Sequence, residues 1–319
     1  MPPCCGCWKC EMMEQMITIS PAASVANLGS GFDTMGIALS LCNTVRMQEW
    51  DRIEVTTEDG TVPVEGEKNL IYRTVKAVYQ RCGRDLAGLR LVQSSPIPQA
   101  RGLGSSSACI AAGVVGANRM LGNPLSVQQQ LDLAAELEGH PDNVVPAMLG
   151  GYVTSVMENG RVWAVKKRIS DQLRFCAFVP DFELLTEKAR AALPAQVPHK
   201  DAVYNLSRSA LMAAAFCEGR TDLFAVASQD RLHQPYRLPL IPGAEKVMEI
   251  ARSLGALATF VSGAGPTIMA ICTAENRDFA QRAAAMLADD AQAKRFTAHL
   301  YTAQNEGMFQ PEELEESGF

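Results

Sequence analysis

The sequence predicts an α+β fold in two domains, from three observations. The chain has 319 residues, more than one domain usually contains, and its 47% hydrophobic and 20% charged residues are typical of globular proteins. Short β-type runs and longer segments with helical spacing both occur along the whole chain. A polar stretch at residues 166–172 is the best candidate boundary. We therefore expect domains over residues 16–168 and 169–319.

Charge and hydropathy exclude some classes of function. The net charge is −6, so the chain has no overall basic surface for nucleic acid or anionic lipid. A membrane-spanning helix needs about 18 consecutive apolar residues, and no run approaches that length. The N-terminus also lacks the apolar core of a secretory signal. We therefore expect a cytoplasmic protein that binds neither nucleic acid nor membranes.

Residues 1–15 differ from the rest of the chain because four cysteines are crowded into them. These are Cys4, Cys5, Cys7 and Cys10. A zinc or redox site is one interpretation, but closed zinc sites usually take ligands from two separated pairs, and no histidine lies nearby. The interpretation we favour is a disordered leader before a working start at Met16.

The first elements after this stretch are a short strand at residues 17–19 and a glycine-rich segment at residues 20–33. In a tight turn between strands, Asn27 and Asp33 of this segment would bond to their own backbone. The other interpretation is that both side chains face a ligand. Alternating residues then predict strands at 45–50 and 52–57.

Helical spacing predicts a helix over residues 70–81, with Asn69 as its N-cap and Gly83 at its end. A β-rich run follows at residues 89–92. It leads into the most informative loop of the chain.

This loop spans residues 98–108 and precedes a helix of small apolar residues. Gly102 and Gly104 allow a sharp turn and let an anion approach backbone N–H groups, and three serines add hydroxyl donors where the helix begins. Unpaired N–H groups and the positive end of the helix dipole complete an anion site. The segment therefore predicts a phosphate-binding loop.

Two common phosphate loops do not match this segment. A Walker A loop has a lysine before its serine or threonine, and residues 98–108 contain no lysine. A dinucleotide-binding loop begins directly after its strand, but nine residues separate Val92 from Gly102, and Ser107 occupies the place of the third glycine. A serine-rich helix cap that binds nothing is the remaining alternative.

Carboxylates cluster at the end of the next helix. A capping-box pattern at Ser126 starts this helix and Gly139 ends it. Glu136 and Glu138 lie in its last turn, where their charge opposes the helix dipole and does not stabilise it. A bound Mg²⁺ ion would offset this unfavourable interaction with the helix dipole. Such an ion needs hard oxygen ligands and takes only one or two from protein. His140 could act as a base, but a turn histidine before proline is more typical of a structural hydrogen-bond donor.

The second half of the chain alternates strands and helices. A hairpin joins residues 152–157 to residues 162–167 through a turn at Asn159 and Gly160. The remaining predicted elements are a strand at 175–180, a helix with Thr186 as its cap, a helix at 201–218, two short strands around the glycines of 260–267, a helix at 274–288 and a strand at 297–302.

Three segments resemble the motifs of the GHMP kinases, a superfamily that includes galactokinase, homoserine kinase and mevalonate kinase. Residues 21–33 have the form Pro-Ala-x-x-x-x-Asn-Leu-Gly-x-Gly-Phe-Asp, and residues 98–106 have the form Pro-x-x-x-Gly-Leu-Gly-Ser-Ser. Residues 263–267 have the form Gly-x-Gly-Pro-Thr. The first form and the string Glu-Gly-His-Pro-Asp-Asn at residues 138–143 are most similar to homoserine kinases.

This resemblance implies a two-domain GHMP kinase fold. The N-terminal ATP-binding domain would be of the ribosomal protein S5 domain 2 type, with a left-handed βαβ crossover where patterns alone favour a right-handed one. The C-terminal domain would be ferredoxin-like. The implied reaction is transfer of a phosphoryl group from ATP, with Mg²⁺, to the hydroxyl of L-homoserine, which gives O-phospho-L-homoserine in threonine biosynthesis.

Two alternatives stay open at this point. One is another GHMP kinase such as mevalonate kinase, and the other is a nucleotide-binding sensor without catalysis. A small-molecule substrate is the expected partner, and a homodimer is left open.

The resemblance also assigns residues to the nucleotide and the metal. Glu138 and Ser106 would hold Mg²⁺, and Glu136 is the alternative if the alignment shifts by two positions. The loop residues expected to bind the nucleotide are Pro98, Gln99, Ala100, Arg101, Gly102, Leu103, Gly104, Ser105, Ser106, Ser107 and Ala108.

The expected substrate residues are Asn27, Asp33, Asn143, Arg190 and Arg237, and the expected catalytic residues are Asp33, Asn143 and Thr186. Arginine suits a carboxylate because its guanidinium binds in a bidentate manner and keeps its charge. Asp33 either takes the proton of the substrate hydroxyl or, as we favour, holds the substrate ammonium. A base is not obviously required, because phosphoryl transfer depends chiefly on positioning and charge.

Overall fold

The computed structural model describes residues 16–64 and 66–319, so the leader predicted at residues 1–15 lies outside the described part of the chain. The strands are β1 (Ile17–Ile19), β2 (Ala22–Asn27), β3 (Gly31–Cys42), β4 (Thr44–Glu49), β5 (Ile53–Thr57), β6 (Leu89–Ser94), β7 (Tyr152–Glu158), β8 (Arg161–Lys167), β9 (Leu173–Pro180), β10 (Ala258–Val261), β11 (Ile268–Thr273) and β12 (Phe296–Tyr301).

The helices are α1 (Leu70–Arg81), α2 (Ser105–Met120), α3 (Val127–Glu138), α4 (Pro141–Leu149), α5 (Thr186–Ala191), α6 (His199–Glu218), α7 (Phe224–Ala227), α8 (Gln234–Arg237), α9 (Ala244–Ser253), α10 (Phe279–Asp289) and α11 (Pro311–Glu316). Short 3₁₀ turns lie at Gly66–Lys68, Thr221–Leu223 and Leu238–Leu240. Within the described residues, no helix combines the length and apolar character needed to cross a bilayer.

The first sheet has the strand order β1-β4-β6-β5 and contains the parallel pair β5 and β6, joined through α1. Helix α1 begins where the side chain of Asn69 accepts the backbone N–H groups of Ile71 and Tyr72, as its cap pattern predicts. Helix α2 is buried along most of its length because its alanines, glycines and valines allow close packing on several sides. The buried body of the helix therefore fixes the position of its N-terminus, where Ser105 and Ser106 remain accessible.

The second sheet, β2-β3-β7-β8, is antiparallel and lies between the helices and the third sheet. One of its faces contributes Val153 and Val162 to a core shared with helices α1 to α4. Its other face contributes Val25 and Ile37 to a core shared with the third sheet. The two halves of the chain are thus joined by a continuous apolar layer.

The third sheet has the order β10-β11-β9-β12, and its neighbouring strands are antiparallel. Counted within the second half of the chain, this is the order 2-3-1-4, which is the order of a ferredoxin-like sheet. The ferredoxin-like arrangement expected for this half is therefore present.

The last residues return to the first half of the chain. Ala303 bridges to Leu39 of β3, and the N–H of Met308 donates to the carbonyl oxygen of Met148. Met308 and Phe309 are buried in the core that contains α1 to α4. The first core is therefore completed by residues from the end of the chain.

Several elements differ from the sequence prediction. Helix α4 occupies a segment that we read as a turn, and the long strand β3 was not predicted beyond its glycine-rich start. The predicted cap Thr186 is the first residue of α5, and Leu185 precedes it at the N-cap position without a side-chain cap bond. The threonine hydroxyl is therefore not needed to cap the helix.

Candidate active site

A cavity of about 250 Å³ lies where the two halves of the chain meet. The loop before α2 and the ends of α3 and α4 form one side, and α5, α8 and the turn at Gly263 form the other. The end of β2 and the start of β3 close the cavity with Asn27 and Asp33. Segments far apart in sequence thus converge on one small polar space.

The loop at residues 98–108 owes its conformation to Gly102 and Gly104, which have φ values of 72° and 70°. A methyl group on Gly104 would overlap the side chain of Ser24, and one on Gly102 would lie 2.7 Å from the carbonyl oxygen of Gly265. The sequence interpretation placed an approaching anion at these glycines. The structure adds a second reason, since their missing side chains make room for neighbouring protein, and the anion site stays a prediction.

Not every residue of this loop faces the cavity. Leu103 and Ala108 are buried in the core, and the carbonyl oxygen of Leu103 accepts the N–H of Ser24. Pro98 and Gln99 line a neighbouring cavity instead. The residues of the loop that line the first cavity are Ala100, Arg101, Gly102, Gly104, Ser105, Ser106 and Ser107.

Glu138 faces the serines of this loop. Its Oε1 accepts hydrogen bonds from Ser106 Oγ at 2.8 Å and from Ser107 Oγ at 2.6 Å. Glu136 instead accepts a 2.7 Å bond from Arg81 on the surface, outside the cavity. The geometry therefore favours Glu138 over Glu136 as the acidic group of this site.

The oxygen atoms at Glu138 and Ser106 fit a Mg²⁺ ion, which prefers hard oxygen ligands and keeps several from water or phosphate. The part of the chain that the structure describes has no cluster of three or more histidine, cysteine, aspartate or glutamate residues that could hold a metal. A metal here would therefore take its remaining oxygen ligands from water or from a bound phosphate.

The start of α4 brings three polar side chains to the cavity. His140 Nδ1 lies 2.6 Å from Oδ1 of the buried Asp142. Burial lowers the pKa of His140, but the hydrogen bond and charge of Asp142 outweigh it and hold the pKa above its ordinary value. Asn143 lines the cavity and accepts a 2.9 Å bond from Ser24 Oγ. Asp142 was not singled out from sequence, since the 138–143 string gave it no role.

Asp33 and Arg190, both expected to contact a substrate, contact each other. The two guanidinium nitrogens donate to the two carboxylate oxygens at 2.9 and 2.8 Å. The side chains remain 34% and 37% exposed, so solvent reaches the pair from the cavity. This is an ion pair between two groups that a small charged ligand could also engage.

Asn27 has less freedom than expected for a ligand-binding residue. Its Oδ1 accepts the N–H of Asp33 at 3.0 Å, and its Nδ2 donates to the carbonyl oxygen of Gly263 at 2.9 Å. Both Asn27 and Asp33 have positive φ values, which few residues other than glycine adopt. The backbone-bonding interpretation of Asn27 therefore describes the structure, although its side chain still borders the cavity.

Arg237 lines the opposite wall and is only 2% exposed. Burial, with a smaller contribution from the charge of Arg190, lowers the pKa of Arg237 to about 10. Both arginines lie near the ring of Phe32, with guanidinium carbons 5.1 and 5.8 Å from its centroid. The sequence did not predict a role for Phe32, because nothing in the first motif indicates that two arginines from the second half of the chain lie over its ring.

A second cavity, of about 670 Å³, adjoins the first across the loop and shares Ala100, Arg101, Ser105 and Ser106 with it. Its wall includes the apolar side chains of Val62 and Val64, and Val62 is 92% exposed. An apolar group could pack here while a phosphate chain attached to it reached the loop. Sequence patterns gave no signal for this cavity, because its walls come from separate segments.

Two segments of the chain match known family descriptions. Residues 69–151 match "GHMP kinases N terminal domain", and residues 212–289 match "GHMP kinases C terminal". These are the two domain types that the resemblance implied.

The chain is also similar to characterised and solved relatives. A homoserine kinase of Caldicellulosiruptor saccharolyticus is 42% identical over 294 residues, which cover 92% of this chain and 96% of the relative. The crystal structure of a homoserine kinase from Cytophaga hutchinsonii superposes with a TM-score of 0.81 and 30% identity, covering 92% of this chain and 97% of that one. The L. major mevalonate kinase in complex with R-mevalonate has a TM-score of 0.69 at 15% identity over 90% of this chain and 96% of that chain, so it shares the fold alone.

Proposed function

Because the chain belongs to the homoserine kinases of the GHMP kinase family, we propose that it transfers the γ-phosphoryl group of ATP to the side-chain hydroxyl of L-homoserine. The product is O-phospho-L-homoserine, an intermediate of threonine biosynthesis. The observation that carries this proposal is the pairing, in one cavity, of a phosphate-type loop with two guanidinium groups and a carboxylate. That combination suits an alcohol that is also a zwitterion.

The charges of the cavity support the orientation of the substrate. Arg237 is a buried cation beside the cavity, so a carboxylate of the substrate would relieve its desolvation. Asp33 and Arg190 neutralise each other in the free protein. A bound homoserine would replace this pair with two new ones, its ammonium on Asp33 and its carboxylate on the arginines. A zwitterion thus offers a new partner to each charge of this pair, whereas a neutral alcohol that broke the pair would leave both charges without partners.

The nucleotide would lie across both cavities. Its phosphates would bind the N–H groups and serine hydroxyls at the start of α2, where the helix dipole favours negative charge. Its base would pack in the second cavity against Val62 and Val64. This arrangement directs the last phosphate toward the first cavity, where the substrate hydroxyl would be.

Glu138 and Ser106 would hold Mg²⁺, which neutralises charge on the phosphates when bound. The protein residues would contribute to catalysis by positioning the hydroxyl in line with the phosphorus and by excluding water. Asp33 already pairs with a cation in the free protein, which favours an ammonium-binding role over that of a base. Asn143 and Thr186 border the same space and would orient the hydroxyl.

A coupled assay of ADP release with homoserine, mevalonate, galactose and shikimate as acceptors tests this proposal. We expect turnover with homoserine alone, and much weaker turnover with homoserinol, which has the ammonium and the hydroxyl but no carboxylate. Turnover with mevalonate and not with homoserine would refute the proposed substrate and indicate a different kinase activity. Tight ATP binding without turnover on any acceptor would instead indicate a sensor.

A further inference from the structure

Few hydrogen bonds orient the buried guanidinium of Arg237. Its Nη1 donates to the carbonyl oxygen of Gly263 at 2.9 Å and to Nδ1 of His233 at 3.2 Å. Its Nε is buried and has no hydrogen-bond partner among the residues that the structure describes. Packing confines this guanidinium to the neighbourhood of Phe32, and His233 supplies the only side-chain hydrogen bond to Nη1 among the described residues.

The contacts of His233 fix its protonation. The ring is fully buried, and its Nε2 lies 2.7 Å from the carbonyl oxygen of Gly29. A carbonyl oxygen only accepts, so Nε2 carries the proton. Nδ1 faces a guanidinium N–H, which only donates, so Nδ1 must be the unprotonated acceptor. Burial also lowers the pKa of His233, which keeps the ring neutral.

The segment that carries this ring is itself fixed. Asp230 accepts the backbone N–H groups of Leu232, His233 and Gln234 at 3.0, 3.0 and 2.7 Å. Gln234 Oε1 accepts the N–H of Val261 at 2.8 Å, which ties the segment to β10. The ring of His233 therefore has a defined position relative to the third sheet.

We propose that His233, as a neutral ring protonated on Nε2, is the positioning residue that orients Arg237 toward the substrate carboxylate. The proposal rests on the proposed function, because it assumes that Arg237 binds this carboxylate. With Nη1 bound to Nδ1 of His233 and to the carbonyl oxygen of Gly263, Nη2 is the nitrogen left to meet the substrate carboxylate. The same ring also bonds to Gly29, in the segment that leads to Asp33. His233 therefore contacts both the residue proposed to bind the substrate carboxylate and the segment proposed to bind its ammonium.

Two substitutions test the contributions of the two ring nitrogens separately. His233→Gln keeps an N–H near the position of Nε2 and loses the acceptor for Arg237, whereas His233→Asn keeps an oxygen near Nδ1 and loses the donor to Gly29. We expect His233→Gln to raise KM for homoserine about tenfold, the effect of one lost hydrogen bond to a charged group, with kcat and KM for ATP close to wild type. We expect a smaller rise for His233→Asn. The matched control is His299→Gln on the exposed face of β12.

A double-substitution cycle decides whether the effect passes through Arg237. On an Arg237→Gln background, His233→Gln should raise KM by less than about twofold, because the group it orients is gone. An undiminished rise on that background, or an equal rise for His233→Asn, would overturn the proposal. A wild-type KM for Arg237→Gln alone would instead overturn the assignment of Arg237 to the substrate.

The wild-type protein provides an independent measurement if the substituted chains fold poorly. Nitrogen-15 NMR of histidine-labelled protein distinguishes a protonated ring nitrogen from an unprotonated one. We expect His233 to show a protonated Nε2 and an unprotonated Nδ1 at neutral pH. A proton on Nδ1 would contradict the proposal without any substitution.

Discussion

Replacing Glu138 by glutamine tests whether this residue is a metal ligand or only a structural hydrogen-bond acceptor. The carboxylate accepts two bonds, from Ser106 at 2.8 Å and Ser107 at 2.6 Å. The amide oxygen of glutamine can accept the same two bonds, so the local structure should persist. What the substitution removes is the negative charge.

The expected effect on stability is small because two contributions oppose each other. Hydrogen bonds to a charged acceptor are stronger than neutral ones by about 1 kcal/mol each, so the change costs roughly 2 kcal/mol or less. Removing a negative charge from the C-terminal turn of α3 offsets this by about 0.3–1 kcal/mol. We therefore expect the free energy of unfolding to change by about 1 kcal/mol.

The expected effect on catalysis is much larger. A charge that holds a metal against the phosphates contributes several kcal/mol to the transition state, so kcat should fall about 10²-fold or more. The assay measures kcat at saturating ATP and homoserine over a Mg²⁺ titration, with thermal unfolding of the same samples. Glu136→Gln is the matched control on the same helix, since its loss removes only a surface pair with Arg81. Wild-type kcat for Glu138→Gln, or a collapse for Glu136→Gln, would refute the reasoning.

Three further predictions address other parts of the site. Asp33→Asn should raise KM for homoserine about 10²-fold with kcat nearly kept, and a collapse of kcat at saturating substrate would identify Asp33 as a base. Gly104→Ala should lower the free energy of unfolding by about 2 kcal/mol or more, because φ is 70° and the added methyl overlaps Ser24; unchanged thermal unfolding would contradict this. Asp142 raises the pKa of His140 above 6.5 in the folded protein, so this interaction is fully stabilising below that pH and is lost as the pH rises through the folded pKa. The difference in unfolding free energy between wild type and His140→Gln should therefore shrink from about pH 6 to about pH 8, and growth over that range would refute the assignment.

The family, the two-domain α+β fold and the kinase class were predictable from the sequence and are confirmed. Local signals were reliable because the residues that produce them are neighbours in the chain. The cap at Asn69 and the capping box at Ser126 are present, and Gly139 ends α3 with a φ of 89°. The segment after Gly139 was less predictable, because Pro141 suits both a turn and the first position of a helix.

The contacts within the site were not predictable, since they join residues that are far apart in sequence. Asp33 and Arg190 are 157 residues apart, and His233 is 204 residues from the carbonyl group that fixes its proton. Periodicity carries no information about such pairs. The roles assigned to Asn143 and Thr186 remain predictions.

The return of the last residues to the first domain affects how the chain folds during its synthesis. Met308 and Phe309 belong to the core built by residues of the first half, and residues 302–304 bond to β3. Ribosomes release a chain from its N-terminus, so domains formed by contiguous residues can fold before synthesis ends. The first core lacks the side chains of Met308 and Phe309 until those residues have emerged, so its final packing forms only after the second domain has been synthesised. The loop at residues 98–108 depends on that domain as well, because Ser262 donates a hydrogen bond to the carbonyl oxygen of Gly102.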